Sequence, residues 1–106
     1  MLIESMSINV SIDDPNWDAK IMSEFFIQMM HRQLGEGNER KCINAVRVFK
    51  ALKFNAIEDK VGYSRLISEH LAVKGYLEPC QKEDEFQFTE QGLRYFRSMK
   101  PISWIK

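Results

Sequence analysis

Two histidines, two cysteines and a few clustered acids are the residues here whose types could catalyse or hold a metal. Paired carboxylates serve acid–base chemistry when their surroundings push their proton affinities apart. Asp13-Asp14 and Glu83-Asp84-Glu85 fall between periodic segments, in turns where carboxylates stay solvated. His70 lies in the apolar sector of a helical pattern, which reads as a core or boundary histidine with a local partner. Cys42 and Cys80 lack CxxC spacing, so no metal site is expected. Cys42 reads as a small hydrophobe and Cys80 as a strand residue. Gly35-x-Gly37 is a helix stop, not a phosphate loop. No nucleophile elbow, phosphate loop or metal-binding motif occurs. The sequence predicts no catalytic residue, no metal and no cofactor.

A chain of 106 residues, 44% hydrophobic and 28% charged, has the length and balance of one soluble globular domain. Fifteen basic residues cancel fifteen acidic ones. That neutrality excludes a protein that coats nucleic acid without regard to sequence, because such coating comes from phosphate neutralisation. A local basic patch is compatible with it. No run reaches the ~18 apolar residues that span a bilayer. Met1-Leu2-Ile3-Glu4-Ser5 has no basic region ahead of an apolar run, so it is not a secretory signal. The expectation is a cytoplasmic protein with no membrane association.

Ile8, Val10 and Ile12 alternate with polar residues across Ser7 to Asp13, the period of a half-buried strand. It pairs with a later hairpin or, as an edge, with another subunit. Residues 1–16 form this strand and arm. Asp14 and Pro15 then make a helix start, N-cap followed by a proline at the first helical position. That helix runs to about Leu34. Trp17, Ile21, Phe25 and Met29, with Met22, Phe26, Ile27 and Met30, make it apolar on more than one side, as in a helix with a second partner. A second helix is expected over Glu39 to Lys53, its apolar face built from Cys42, Ala45, Val46 and Phe49. Arg40, Asn44 and Arg47 lie opposite, as solvated surface or phosphate contacts. Ala56 to Val61 offers Ile57 and Val61 for about one helical turn, and Gly62 as a turn.

An amphipathic helix over about 63–74 follows. Placed 100° apart, Tyr63, Leu66, Ile67, Leu71 and Val73 gather on one side; Arg65, Ser68, Glu69 and Ala72 gather on the other. Gly75 stops it. Leu77 to Cys80 and Phe86 to Phe88 read as a hairpin around the polar turn Lys82-Glu83-Asp84-Glu85, which lacks the residues of a tight two-residue turn. Thr89 caps a last helix with Glu90 in its first turn, and Leu93, Phe96 and Met99 face inward. Pro101 ends it. Residues 100–106 form an apolar tail with Ile102, Trp104 and Ile105.

The stretch Leu71 through Lys74-Gly75-Tyr76-Leu77, followed by Phe88-Thr89-Glu90-Gln91-Gly92-Leu93, resembles the second half of a winged-helix-turn-helix domain of the bacterial transcription-repressor type. The resemblance spans about 35 residues, and a further 25 or so less closely. It implies an α+β fold, helices with a small antiparallel β-hairpin wing, in a single domain. It also implies a sequence-specific regulator that puts the helix at 63–74 into the major groove of double-stranded DNA. Carried onto this chain, the base-facing residues are Ser64, Arg65, Ser68, Glu69 and Ala72, with Arg65 suited to guanine and Glu69 to cytosine. Lys60 and Lys82 are the phosphate holders. The acidic wing tip departs from the usual basic pattern. It suits the alternative, a winged-helix module that binds a protein partner. The broad apolar helix and the tail suggest a homodimer.

Overall fold

The computed structural model describes residues 19–54 and 57–101. The strand expected at 7–13, the helix start at Asp14, Trp17 and the tail at 102–106 lie outside them. Among the described residues the chain is an α+β fold with four helices and one three-stranded antiparallel sheet. In chain order these are α1 (Ala19–Leu34), β1 (Ile43–Asn44), α2 (Ala45–Ala51), α3 (Lys60–Val73), β2 (Leu77–Pro79), β3 (Glu85–Phe88) and α4 (Glu90–Ser98). The strand order is β1-β3-β2.

α1 is apolar on most sides because it sits inside the fold. Met22, Phe25, Phe26, Ile27, Met29 and Met30 are all buried. The breadth made by these six side chains is therefore accounted for within one chain. Aromatic side chains tie it to the next elements: Phe25 meets Phe54, Phe54 meets Phe49, and Phe49 stacks on Tyr63 with ring centroids 5.3 Å apart.

The expected second helix is a strand and a shorter helix. Ile43 is opposite Phe86 and Asn44 opposite Glu85, so the third strand comes from the middle of the chain. The helix begins only at Ala45, because the Asn44 side chain accepts from the Arg47 backbone N–H at 3.0 Å. A capping asparagine has extended backbone angles, here φ −75° and ψ 122°, and these also suit the end of a strand. Cys42 is not on a helix face. It is exposed and disulfide-bonded to Cys80. The bond joins the residue before β1 to the residue after β2, the two outer strands. Disulfides persist in oxidising surroundings, so cysteine usage no longer points to a reducing cytoplasm. No helix among the described residues is long and apolar enough to cross a membrane.

Glu58 and Asp59 are not helical, and Gly62 lies inside α3 instead of turning the chain. Asp59 caps α3, accepting from the Gly62 N–H at 2.9 Å. Lys60 donates to the carbonyls of Phe54 and Ile57 at 3.0 and 2.8 Å, which fastens the loop to the helix start. α3 ends at Gly75, whose φ of +85° is the left-handed backbone that glycine adopts without cost.

The junction after Gly75 explains the Thr-x-x-Gly pattern. The Thr89 hydroxyl donates to the Gly75 carbonyl at 2.6 Å and accepts from the Gly92 N–H at 2.9 Å. The Thr89 N–H donates to the Tyr76 carbonyl at 3.1 Å. A Cβ on Gly92 would run into that same Tyr76 carbonyl oxygen and crowd the Phe88 ring. Backbone cannot swing aside as a side-chain tip can. Gly92→Ala should therefore cost about 2 kcal/mol or more, despite alanine's better helix propensity. Thermal or urea unfolding checks this. A variant as stable as the parent would show that Tyr76 and α4 are not packed this closely.

Candidate functional site

α3 and the hairpin carry the residues expected to read DNA. α3 packs most extensively on α2 and buries Tyr63, Ser64, Ile67, Ser68 and Leu71. The helix is therefore rotated from the expected orientation. Ser64 and Ser68 are 0% and 1% exposed, not on the outward face. Their hydroxyls donate to the carbonyls of Val61 and Arg65 at 2.8 and 3.2 Å. Back-bonding of this kind satisfies a buried hydroxyl locally, so small polar residues line a close helix contact without an orphaned group. In exchange Val73, expected inside, is 89% exposed. Leu66 and Ala72 are half-buried.

The outward edge of α3 runs Val61, Arg65, Glu69, Val73, all exposed. Arg65 is the only basic side chain on it, and it is already engaged. Its Nε and Nη2 donate to the two carboxylate oxygens of Asp84, each at 3.0 Å. Its Nη2 lies 3.5 Å from Glu83. This is the bidentate fork geometry that makes arginine–carboxylate pairs directional. The Arg65 guanidinium holds the Asp84 carboxyl below the usual carboxylate range, and Asp84 in turn raises the guanidinium further. The sign follows directly. A depressed carboxylate keeps its pair above the ordinary aspartate range and loses it only as acid protonates Asp84. The contact is thus closed at neutral pH.

Asp84 is also held by its backbone. Its carbonyl accepts from the Ala45 N–H at 2.7 Å. It has a φ of +63°, a left-handed conformation that aspartate tolerates better than most residues. The hairpin tip is therefore fastened to α3 through Arg65, to α2 through Ala45, and to the β1 end through the disulfide beside it. The resulting site is one surface: the outer edge of α3, the tip at 82–84 and the start of α2. Glu69 and Lys82 stand exposed on it. Lys60 does not reach outward as a phosphate holder, because its ammonium is bonded to the two carbonyls before α3. On α2, Arg47 and Lys50 are exposed; of the stripe expected from the sequence only Arg47 lies on the helix, with Arg40 in the turn before β1 and Asn44 serving as the cap.

No family model, curated protein or solved structure matches this chain. The site is therefore argued from its residues alone. His31 stacks on Phe96 with centroids 3.9 Å apart and lies 3.7 Å from Glu39, a packing role. His70 is half-buried at the boundary. No group of three or more His, Cys, Asp or Glu that could hold a metal occurs among the described residues.

Sequence reasoning missed the Arg65–Asp84 pair, although both residues were singled out separately. Their separation of 19 positions carries no periodic signal. A lone arginine on an otherwise uncharged-to-acidic helix edge, followed by an acidic turn in a hairpin that must fold back beside it, was the available hint.

Proposed function

We propose that this chain is a winged-helix DNA-binding regulator that presents the outer edge of α3 to the major groove, with β2 and β3 as the wing. The observation that carries this reading is topological. The order helix, strand, helix, helix, strand, strand, with β1 paired to β3, leaves one long helix edge exposed beside a hairpin fastened to it. Helices of this exposure fit a major groove. Arg65, Glu69 and Ala72 are the base-facing residues in this reading, and Lys82, Arg47 and Lys50 the phosphate contacts. Ser64 and Ser68 drop out. DNA must compete with Asp84 and Glu83 for the Arg65 guanidinium, so the acidic tip acts as a brake on binding.

A second reading has its own observation. Val61 and Val73 are the large apolar side chains exposed among the described residues, and both lie on α3's outward side. An apolar edge with a neutralised arginine suits a protein partner better than phosphate.

Genomic-fragment selection followed by a salt titration separates the two readings. A regulator should select fragments that it binds more tightly than bulk DNA. Arg65→Ala should weaken the selected site by roughly tenfold, the share of one good base contact. Replacing Glu83, Asp84 and Glu85 together by glutamine should tighten binding to all sequences alike. That gain should fade as salt rises. If no fragment outcompetes bulk DNA at any salt concentration, the regulator reading falls.

A further inference from the structure

The disulfide and the hairpin tip share a frame that the DNA-binding reading leaves unused. Phe86 on β3 is flanked by Ile43 of β1 and by Pro79 of β2. Cys42 and Cys80 are the next residues along those outer strands, and the disulfide joins them. The loop at 81–84 hangs from this frame. Cys80 donates its N–H to the Glu85 carbonyl at 2.8 Å, and Glu85 donates to the Lys82 carbonyl at 3.2 Å. On the other side the Asp84 carbonyl accepts from the Ala45 N–H, close in the chain to Cys42. The disulfide therefore ties together the two supports between which Asp84 is held. From there Asp84 presents both carboxylate oxygens to Arg65.

Relative strengths decide what depends on the bond. An exposed ion pair contributes little by itself, since solvent screens it and both side chains lose freedom. Arg65 is exposed and Asp84 half-buried, so the pair follows the position of the tip and does not set it. A left-handed φ of +63° at Asp84 lasts only where the surroundings over-determine it. With the bond cut, two short outer strands and a few backbone hydrogen bonds remain, and such segments open at little cost. Cys42 is exposed, and accessible disulfides are the ones that exchange with thiols. We propose that the Cys42–Cys80 bond is a redox switch on Arg65: oxidised, the tip holds Asp84 on the guanidinium; reduced, the tip relaxes and releases Arg65 on the outer edge of α3. The reductant is a dithiol. One of its thiolates attacks the Cys42 sulfur, the S–S bond breaks, and Cys80 leaves as a thiolate that takes up a proton. The second thiol then displaces Cys42. Two electrons and two protons pass to the cysteines, and the dithiol becomes a cyclic disulfide. The proposal goes beyond the DNA-binding reading and does not rest on it, because it is read on the guanidinium itself.

The test follows the Arg65 Nε–Hε signal of the full chain in two-dimensional NMR, with the protein oxidised or held in excess dithiothreitol. Arg65→Lys assigns that signal by removing it. Asp84→Asn, kept oxidised, supplies the spectrum of a released guanidinium: asparagine tolerates the left-handed backbone but lacks the charged fork. Reduction should move the Arg65 signal to its position in Asp84→Asn. It should also speed exchange of the Hε proton with water by at least about tenfold, as the protecting bonds are lost. Cys42→Ser with Cys80→Ser should do the same without a reductant. The amides of Phe26, Ile67 and Leu71, buried on α1 and α3, should keep their shifts, which shows that the reduced chain stays folded. Replacing the dithiol with oxidised glutathione should restore the first spectrum. An Arg65 signal that stays in place in a folded, reduced chain overturns the proposal. So does loss of the core amide pattern on reduction, which makes the bond a staple of the whole fold. So do a release that oxidation fails to reverse and an Arg65 signal unchanged by Asp84→Asn.

Discussion

Reducing the Cys42–Cys80 bond should lower the unfolding free energy by about 4 kcal/mol. The bridged residues are 38 apart, and closing a loop of that length removes this much chain entropy from the unfolded state. For a small domain this is a large share of all the stability it has. The bond also acts where the sheet is thinnest. β1 has two residues and β2 three, so few ladder hydrogen bonds hold either outer strand to β3. Cys42 is exposed, which leaves the bond open to a reductant without prior unfolding. Urea titration with and without dithiothreitol measures the effect, and Cys42→Ser with Cys80→Ser should reproduce the reduced curve. The reduced chain should also unfold with a steeper urea dependence, since an uncrosslinked unfolded state exposes more surface. Coincident curves in the two conditions would mean that the bond does not form in solution.

The disulfide also marks where reading the sequence stops. Two cysteines without a motif say nothing about their partner until the strands are in register. Ile43 had to be a strand residue opposite Phe86, and the sequence pattern there favoured a helix. Cys42, Ile43, Ala45, Val46 and Phe49 are spaced as a helix face, and two strand residues are too few to show alternation. The Asn44 cap was the local signal that competed with that period, since asparagine starts helices better than it continues them. By contrast, the order of elements from Gly75 to Leu93 was legible, apart from the partners of Cys80 and Asp84. Each step there rests on a residue with a narrow conformational or capping preference: Gly75 at positive φ, Pro79 on an outer strand, Thr89 as cap, Gly92 against a carbonyl. The candidate site was legible only in part. Arg65 and Glu69 are on the exposed edge as expected. Ser64 and Ser68 are not, because the buried arc of α3 is centred away from Leu66 and Val73 and takes in both serines. A serine that bonds its own helix satisfies its hydroxyl without water.

Truncating Leu71 and Val73 tests that rotation of α3 directly. Leu71 is 1% exposed and Val73 is 89% exposed, although both were assigned to the buried side from helical spacing. Leu71 packs in the same core as Phe26, Ile67 and Leu77. Leu71→Ala should cost about 2–5 kcal/mol, the lost transfer energy plus the cavity left behind. Val73→Ala should change stability by less than about 0.5 kcal/mol, the usual range for an exposed position. Alanine's higher helix propensity makes even a small gain reasonable. Chemical denaturation of the two variants beside the parent reads the difference. A costly Val73→Ala together with a silent Leu71→Ala would put the helix back in its first orientation. Ser64 and Ser68 would then return to the outward edge, and the base-facing set would have to be redrawn around them. If both substitutions are costly while the protein remains a monomer, the described fold lacks a contact over Val73. If Val73→Ala is silent in the monomer but weakens binding to a captured DNA or protein, the outward edge of α3 is the working surface, as proposed.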